Sequence, residues 1–183
     1  QTFATTGHQP RTVQEVTLAA RRDGTLTAIR HRSWSAAAME EDYVEHGSLG
    51  SRSMYACPNI ETRDLIVRLD RPQPTFMRAP HEGPGMPALE IALDELAHSL
   101  GLDPLAIRLT NYAEHDPTSG KPFSSKELRQ CYRVGAGLFG WDRRSPVPGT
   151  SRDGDELVGF GMASALMSTF RFAAQARVTL ARD

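Results

Sequence analysis

The chain has 183 residues, 39% of them hydrophobic and 23% charged, with a formal net charge of -1 at pH 7. That is the makeup of one substantial globular domain, or one and a half small ones, and it excludes the basic excess of nucleic-acid and anionic-membrane binders. Two cysteines without C-x-x-C spacing, Cys57 and Cys131, exclude a disulfide framework and are expected to be buried apolar thiols.

Residues 1–11 are polar and read as irregular. From 12 to 20 the chain alternates, with Val16, Leu18 and Ala20 on one face. Arg21-Arg22-Asp23-Gly24 is a turn, and the alternation resumes at Leu26-Thr27-Ala28-Ile29. Asp-Gly between two alternating runs predicts a hairpin. Ala36 to Glu41 fits helix or strand, and 47–53 reads as loop. Cys57-Pro58-Asn59 makes a turn before the plainest strand, 61–70, with Leu65, Val67 and Leu69 expected to face inward. Arg71-Pro72-Gln73-Pro74 ends it, because two prolines cannot continue a ladder.

A Pro/Gly-rich loop spans 75–86, and the spacing of Leu89, Leu93, Leu96 and Leu100 predicts a helix over 87–100, with Glu90, Asp94, Glu95 and His98 off its buried stripe. Gly101 suits the position after a helix end. Asp103-Pro104 is an N-cap before an N1 proline, opening a short helix to Thr110. Residues 111–123 read as exposed loop, and Ser124-Ser125-Lys126-Glu127 as a capping box. The third helix is expected to bury Leu128, Cys131, Tyr132, Gly135, Leu138 and Phe139 and to end at Gly140. Residues 142–156 are polar, with two prolines and two glycines, and read as a linker. Strands are expected over 157–165 and 173–181. Val16-Thr17-Leu18-Ala19 recurs as Val178-Thr179-Leu180-Ala181 just before the last residues, so the natural chain is expected to continue past Asp183. The opening residues, neither basic nor apolar and without an initiator methionine, fit an excised or processed piece with no secretion signal. No apolar run approaches the roughly 18 residues of a membrane span.

The chemistry concentrates in Thr75-Phe76-Met77-Arg78-Ala79-Pro80-His81-Glu82-Gly83-Pro84-Gly85-Met86. A strand, a tight loop and a helix leave backbone N–H groups free to face a ligand, and Arg78 adds a fork for an oxyanion. A rigid turn held by Arg78 bonding to carbonyls is the alternative, and the residues alone leave the two open. His81 and Glu82 are not expected to act as an acid/base pair, since adjacent side chains rarely converge and a loop glutamate is usually solvated. No histidine pair has H-x-x-x-H or H-x-H spacing, so no metal site is expected. G-x-S-x-G and the P-loop pattern are absent, and Gly159-Phe160-Gly161 lacks the rest of a dinucleotide fingerprint.

Three segments together resemble the molybdenum hydroxylases, the family of xanthine dehydrogenases and aldehyde oxidases. They are Thr5-Thr6-Gly7-His8-Gln9-Pro10, Cys57-Pro58-Asn59-Ile60 and Met77 to Met86. The block Ala88-Leu89-Glu90, Asp94-Glu95-Leu96-Ala97, Gly101-Leu102-Asp103-Pro104 and Arg108-Leu109-Thr110-Asn111 is similar to the segment after the cofactor loop in the large molybdopterin-binding subunit. Gly120 to Ser125, and on to Gly140-Trp141, resembles the bacterial aldehyde-oxidase-like branch most.

The resemblance implies an α+β fold, with a mixed or antiparallel sheet and two to three helices after the cofactor loop. It implies that 1–141 is the end part of a first molybdopterin-binding domain, 142–156 a linker and 157–183 the start of a second. It implies a parent enzyme that hydroxylates aldehydes or N-heterocycles with oxygen from water. The implied cofactor is molybdopterin carrying molybdenum, in the cytosine dinucleotide form, and electrons pass to 2Fe-2S clusters and FAD on partner subunits. By the same resemblance Arg78 and Ala79 lie on the cofactor side, and Pro80 and His81 on the substrate side. Proline at 80, where xanthine-type enzymes carry an aromatic, and His46, where they carry an arginine, both point away from purines. His81 stands where the family usually has glycine, a residue that supplies positive φ. The base glutamate of the family falls outside this chain, as does its glycine-rich G-G-G-F-G-G-K-like segment. No catalytic residue is therefore assigned, and the piece alone is expected to be inactive. The compartment is expected to be the cytoplasm, with the periplasm as the alternative. Two rivals stand beside this reading: a stand-alone α+β module that binds an anion without redox chemistry, and an assembly piece with a structural role.

Overall fold

The computed structural model describes residues 6–40, 42–167 and 172–180. Strands β1 (Thr12–Ala20) and β2 (Leu26–Ala37) form the antiparallel hairpin that the Asp-Gly turn predicts. Gly24 sits at φ 87, a conformation that only glycine reaches without steric cost. The Asp23 carboxylate accepts the Thr25 N–H at 2.9 Å, which closes the turn. β3 (Ile60–Arg68) adds to β2 in parallel, so the sheet is mixed, in the order β1-β2-β3. The ambiguous stretch at 36–37 is the end of β2, and 47–53, expected as loop, holds the short helix α1 (Leu49–Ser53). A parallel partner needs a crossover, and α1 lies on it.

The inward set of β3 corrects the sequence reading. Ile60, Thr62, Asp64 and Ile66 face the interior, while Leu65 and Val67 lie on the outer face and Leu69, just past the strand, is also exposed. Pairing decides this. Leu65 lies beside Trp34, and Asp64 must point inward to hold the chain around Ser48 and Arg52. A one-residue difference in register moves every side chain to the other face.

Helix α2 (Glu82–Leu100) lies against the inner face of the sheet and starts earlier than periodicity predicts, with Pro87 inside it. Leu89, Leu93 and Ala97 from α2 join Leu26, Ile29, Met54, Tyr55, Met86 and Ile107 in the core, and Leu96 packs at its edge. Gly101 ends the helix at φ 68. α3 (Pro104–Thr110) follows, with the Asp103 carboxylate capping the N–H groups of Leu105 and Ala106.

α4 (Leu128–Phe139) ends at Gly140 as expected, but the capping box is not used. Lys126 is recruited elsewhere: its ammonium donates to the Ala113 carbonyl at 2.7 Å, and its own carbonyl accepts the Tyr112 hydroxyl at 3.0 Å. Of the predicted stripe only Tyr132 is buried; Leu138 and Phe139 are exposed. Cys131 is also exposed and Cys57 half-buried, so the thiols are not both in the interior. In the segment expected to be an exposed loop, Asn111 and Ala113 are buried. Asn111 donates to the Gly24 and Ile107 carbonyls and accepts the Leu26 N–H, each at 2.8 Å, and so ties α3 to the hairpin.

After a single 3₁₀ turn (Trp141–Arg143), strands β4 (Arg152–Asp153) and β5 (Glu156–Leu157) make a small hairpin inside and just past the predicted linker. The described parts of 158–165 and 173–180 carry no strand, and residue 181 lies outside the described residues, as does Thr5 of the first motif. A strand forms only where a ladder partner exists. The result is an α+β architecture with a mixed three-stranded sheet and helices after the loop.

Candidate functional site: the arginine loop and its buried supports

The 75–81 loop is fixed at both ends by backbone bonds. The Thr75 N–H donates to the His8 carbonyl at 3.0 Å, which brings the first resembling motif against the loop. At the other end the Glu82 N–H donates to the Pro80 carbonyl at 2.8 Å. That bond closes a three-residue turn centred on His81, at φ 70 and ψ -54, the rarer and strained kind of γ-turn. Ala79, at φ 51, is a second non-glycine residue with positive φ. Two such residues in one short loop mean that the surroundings over-determine its path.

Tyr43 and Glu45, at the centre of those surroundings, are buried. The Glu45 carboxylate is 1% exposed as a residue; one oxygen accepts the His81 backbone N–H and the other the Tyr43 hydroxyl at 2.9 Å. Burial first, and then the bond to Glu45, push the Tyr43 phenol pKa upward, so it stays a donor. His81 Nδ1 accepts the His46 N–H at 3.0 Å. As an acceptor that nitrogen carries no proton, so its 3.5 Å approach to Glu45 is a contact and not an ion pair. Phe76 stands edge-on between Tyr43 and His81, at ring separations of 5.3 and 5.8 Å. Gly85, in the first turns of α2, lies so close to Gly47 that a Cβ there would fall 2.0 Å from the Gly47 carbonyl oxygen.

A second support runs from the sheet. His31 is fully buried; Nε2 bonds to Gln14 Oε1 at 2.9 Å and Nδ1 to Ser51 Oγ at 2.8 Å. Gln14 passes the linkage on by donating to the Pro84 carbonyl at 2.8 Å. Burial holds the His31 pKa below its ordinary value, with the Asp64 charge opposing, so the ring is neutral.

Arg78, the centre of the sequence reading, is exposed. Among the described residues, no carbonyl or carboxylate accepts from its guanidinium, so a turn held by Arg78 bonding to carbonyls is not what the geometry shows. Nor does any described group accept from the backbone N–H of Met77, Arg78 or Ala79. Pro80 and His81 are half-buried beside it. Glu82, expected to be solvated, is buried in the first turn of α2, where the helix dipole favours a carboxylate. A groove of about 440 Å³ runs from Ala79 and Gly83 along α2, past Met86 and Ile91, to residues 162–166. A larger cleft, about 660 Å³, lies at the far end of α2. Its charges are already matched: Arg144 pairs with Asp103 and stacks 3.7 Å over the Trp141 ring.

Sequence reasoning missed the acidic supports. Glu45 and Glu90 are buried and Asp64 is half-buried, and each accepts more than one bond. Glu90 sits off the leucine stripe of α2, yet it meets Arg108, Tyr55 and the Ser164 N–H in the interior. For Glu90 the signal in the sequence was the block from Ala88-Leu89-Glu90 to Arg108-Leu109-Thr110-Asn111, read there as resemblance and not as a charge pair.

Residues 1–112 match the molybdopterin cofactor-binding domain, and the chain belongs to that family. Among curated proteins it is 40% identical over 182 residues to the aldehyde oxidoreductase molybdenum-binding subunit PaoC of Escherichia coli (strain K12). That alignment covers 97% of this chain and 24% of the relative, so the chain spans about a quarter of the relative's length. Among solved structures, the fold matches quinoline 2-oxidoreductase from Pseudomonas putida 86, with a TM-score of 0.66 and 20% identity over 76% of this chain and 19% of that one. It equally matches the aldehyde oxidoreductase of Desulfovibrio desulfuricans ATCC 27774, with a TM-score of 0.66 and 20% identity over 75% of this chain and 16% of that one. The donor set fits the group that the family binds: a molybdopterin is anionic and oxygen-rich, and the loop presents a guanidinium and backbone N–H groups with no acceptor among the described residues.

Proposed function

We propose that this chain is part of the molybdenum-binding large subunit of an oxidoreductase that hydroxylates aldehydes or related N-heterocycles. The observation that carries the reading is the solvent-facing Arg78, on a loop whose strained path is held by buried side chains, within a molybdopterin-binding family. The identity to an aldehyde oxidoreductase subunit supports an aldehyde-type substrate, and proline at position 80 supports it further, since no ring is there to stack on a purine. A stand-alone anion-binding module has no observation in its favour.

Bound molybdopterin would supply the two-electron oxidation, with the added oxygen coming from water. Arg78 and Ala79 hold the cofactor side through charge-assisted and backbone donors. Pro80 and His81 form the substrate-side wall and orient the carbonyl carbon. Glu82 is buried at the helix start and is not the base. The cofactor takes the cytosine dinucleotide form, and 2Fe-2S and FAD partner subunits receive the electrons. Residues 1–141 complete a first cofactor-binding domain, 142–156 link it onward and 157–183 open a second. Among the described residues no helix is long and apolar enough to cross a membrane, and the compartment proposed is the cytoplasm.

The test uses the complete large subunit with its partners. Molybdenum and pterin are measured, then aldehyde oxidation. Arg78→Ala should lower molybdenum occupancy or turnover by on the order of tenfold or more, as expected when a hydrogen bond to a charged group is lost. Unchanged turnover at full molybdenum content would remove the role given to Arg78, and a native protein free of molybdenum and pterin would remove the function.

A further inference from the structure

We propose that Glu45 is a positioning residue for the arginine loop, and that it acts through the backbone of His81. The inference rests on the proposed molybdopterin function for its effect on turnover, and on geometry alone for its effect on the loop.

A histidine at φ 70 and ψ -54 pays a steric cost that glycine would not. Something must hold it there. The γ-turn bond from Glu82 to Pro80 is internal to the turn and cannot anchor it to the rest of the molecule. The anchor is the N–H of His81 itself, which points inward onto the Glu45 carboxylate. Glu45 is well placed to resist movement. It is 1% exposed, its second oxygen is occupied by Tyr43, and its own N–H reaches the Ser35 hydroxyl on β2 at 3.4 Å. The neighbouring His46 N–H grips the His81 ring from the same segment. A buried carboxylate thus transmits the position of the sheet to the residue that follows Arg78, Ala79 and Pro80. If His81 relaxes to negative φ, the three preceding residues rotate, and Arg78 no longer faces the same point. Glu45 touches neither substrate nor cofactor in this scheme.

The mechanism makes a specific claim about residue 81. If Glu45 matters because it holds a strained histidine, it should matter much less when residue 81 is glycine. The test is a double-mutant cycle in the complete large subunit with its partners: Glu45→Ala, His81→Gly, both together, and Glu45→Gln as the conservative change. Molybdenum content, kcat and KM for an aldehyde, and amide exchange over 76–82 are measured for each. Glu45→Ala should reduce kcat/KM on the order of ten- to a hundredfold per molybdenum, as small displacements of positioning groups do. It should speed exchange over 76–82 and leave strand residues 12–37 unchanged. In the His81→Gly background the same substitution should cost no more than about twofold, because the strain that Glu45 opposes is gone and the two positions are coupled. Glu45→Gln, whose amide oxygen still accepts the His81 N–H, should keep most of the activity.

Equal losses in both backgrounds, or unaltered exchange over 76–82 in Glu45→Ala, would overturn the proposal. A double variant that folds where Glu45→Ala alone does not supports it, and failure of both to fold counts against it. If the wild-type subunit carries no molybdenum and oxidises no aldehyde, the functional reading fails, and the exchange data still decide the role of Glu45.

Discussion

Arg108→Met should be among the most destabilising single substitutions in this chain, for a reason visible in the geometry. Arg108 is fully buried. Its guanidinium donates to the Glu90 carboxylate at 2.9 Å, to Asp94 at 2.7 Å, and to the Pro104 and Glu90 carbonyls at 2.8 and 3.3 Å. Methionine fills much of the volume but carries no charge. Glu90 is then left with the Tyr55 hydroxyl at 2.6 Å and the Ser164 N–H at 2.7 Å, two neutral donors facing a buried anion. Removing one partner of a buried pair costs about 3–5 kcal/mol. For a domain of this size each kcal/mol moves Tm by roughly 2–4 °C, so the expected fall is roughly 6–20 °C. Thermal unfolding followed by circular dichroism measures it. The double variant Glu90→Gln/Arg108→Met removes the bare charge as well, and should recover about half of the loss or more, because replacing a buried pair is far less costly than breaking one. A fall in Tm below about 2 °C for the single variant, or a double variant no better than the single, would refute the account of Glu90 as a buried anion that depends on Arg108.

Three further outcomes rest on the same supports. Gly85→Ala places a methyl group 2.0 Å from the Gly47 carbonyl oxygen, so backbone must move against backbone; a loss of about 1–3 kcal/mol or more in denaturant titration is expected. His31 is held neutral by burial, with its pKa lowered from 6.5, so the unfolded chain binds a proton first as pH falls. Stability should therefore be complete above pH 6.5 and decline below it, by at most about 1.4 kcal/mol per pH unit from this group, and His31→Gln should flatten that slope. Tyr43→Phe leaves one Glu45 oxygen without its hydroxyl donor and should cost about 1–3 kcal/mol by denaturant titration, a loss that Tyr43→Phe in a Glu45→Ala background should not repeat.

Local chemistry made much of this protein legible from its residues. An Asp-Gly turn specifies a hairpin because its glycine must take φ 87. Leucines at helical spacing specify α2, Asp103-Pro104 specifies the start of α3, and Gly101 and Gly140 specify helix ends, because each is a property of a few adjacent residues. The arginine loop was also found from sequence, since Arg78 among prolines and glycines is a local signature, and the histidine at a glycine position marked the place where φ is 70. What the sequence left open depends on partners distant along the chain. Alternation in β3 has two possible faces, and only pairing with β2 and the inward pull on Asp64 choose between them. Glu45 and Glu90 look like surface residues until the His81 backbone and Arg108 arrive beside them, 36 and 18 positions away respectively. Periodicity locates a helix because its bonds are local; it cannot locate a buried carboxylate, whose stability comes from donors that only the tertiary fold assembles.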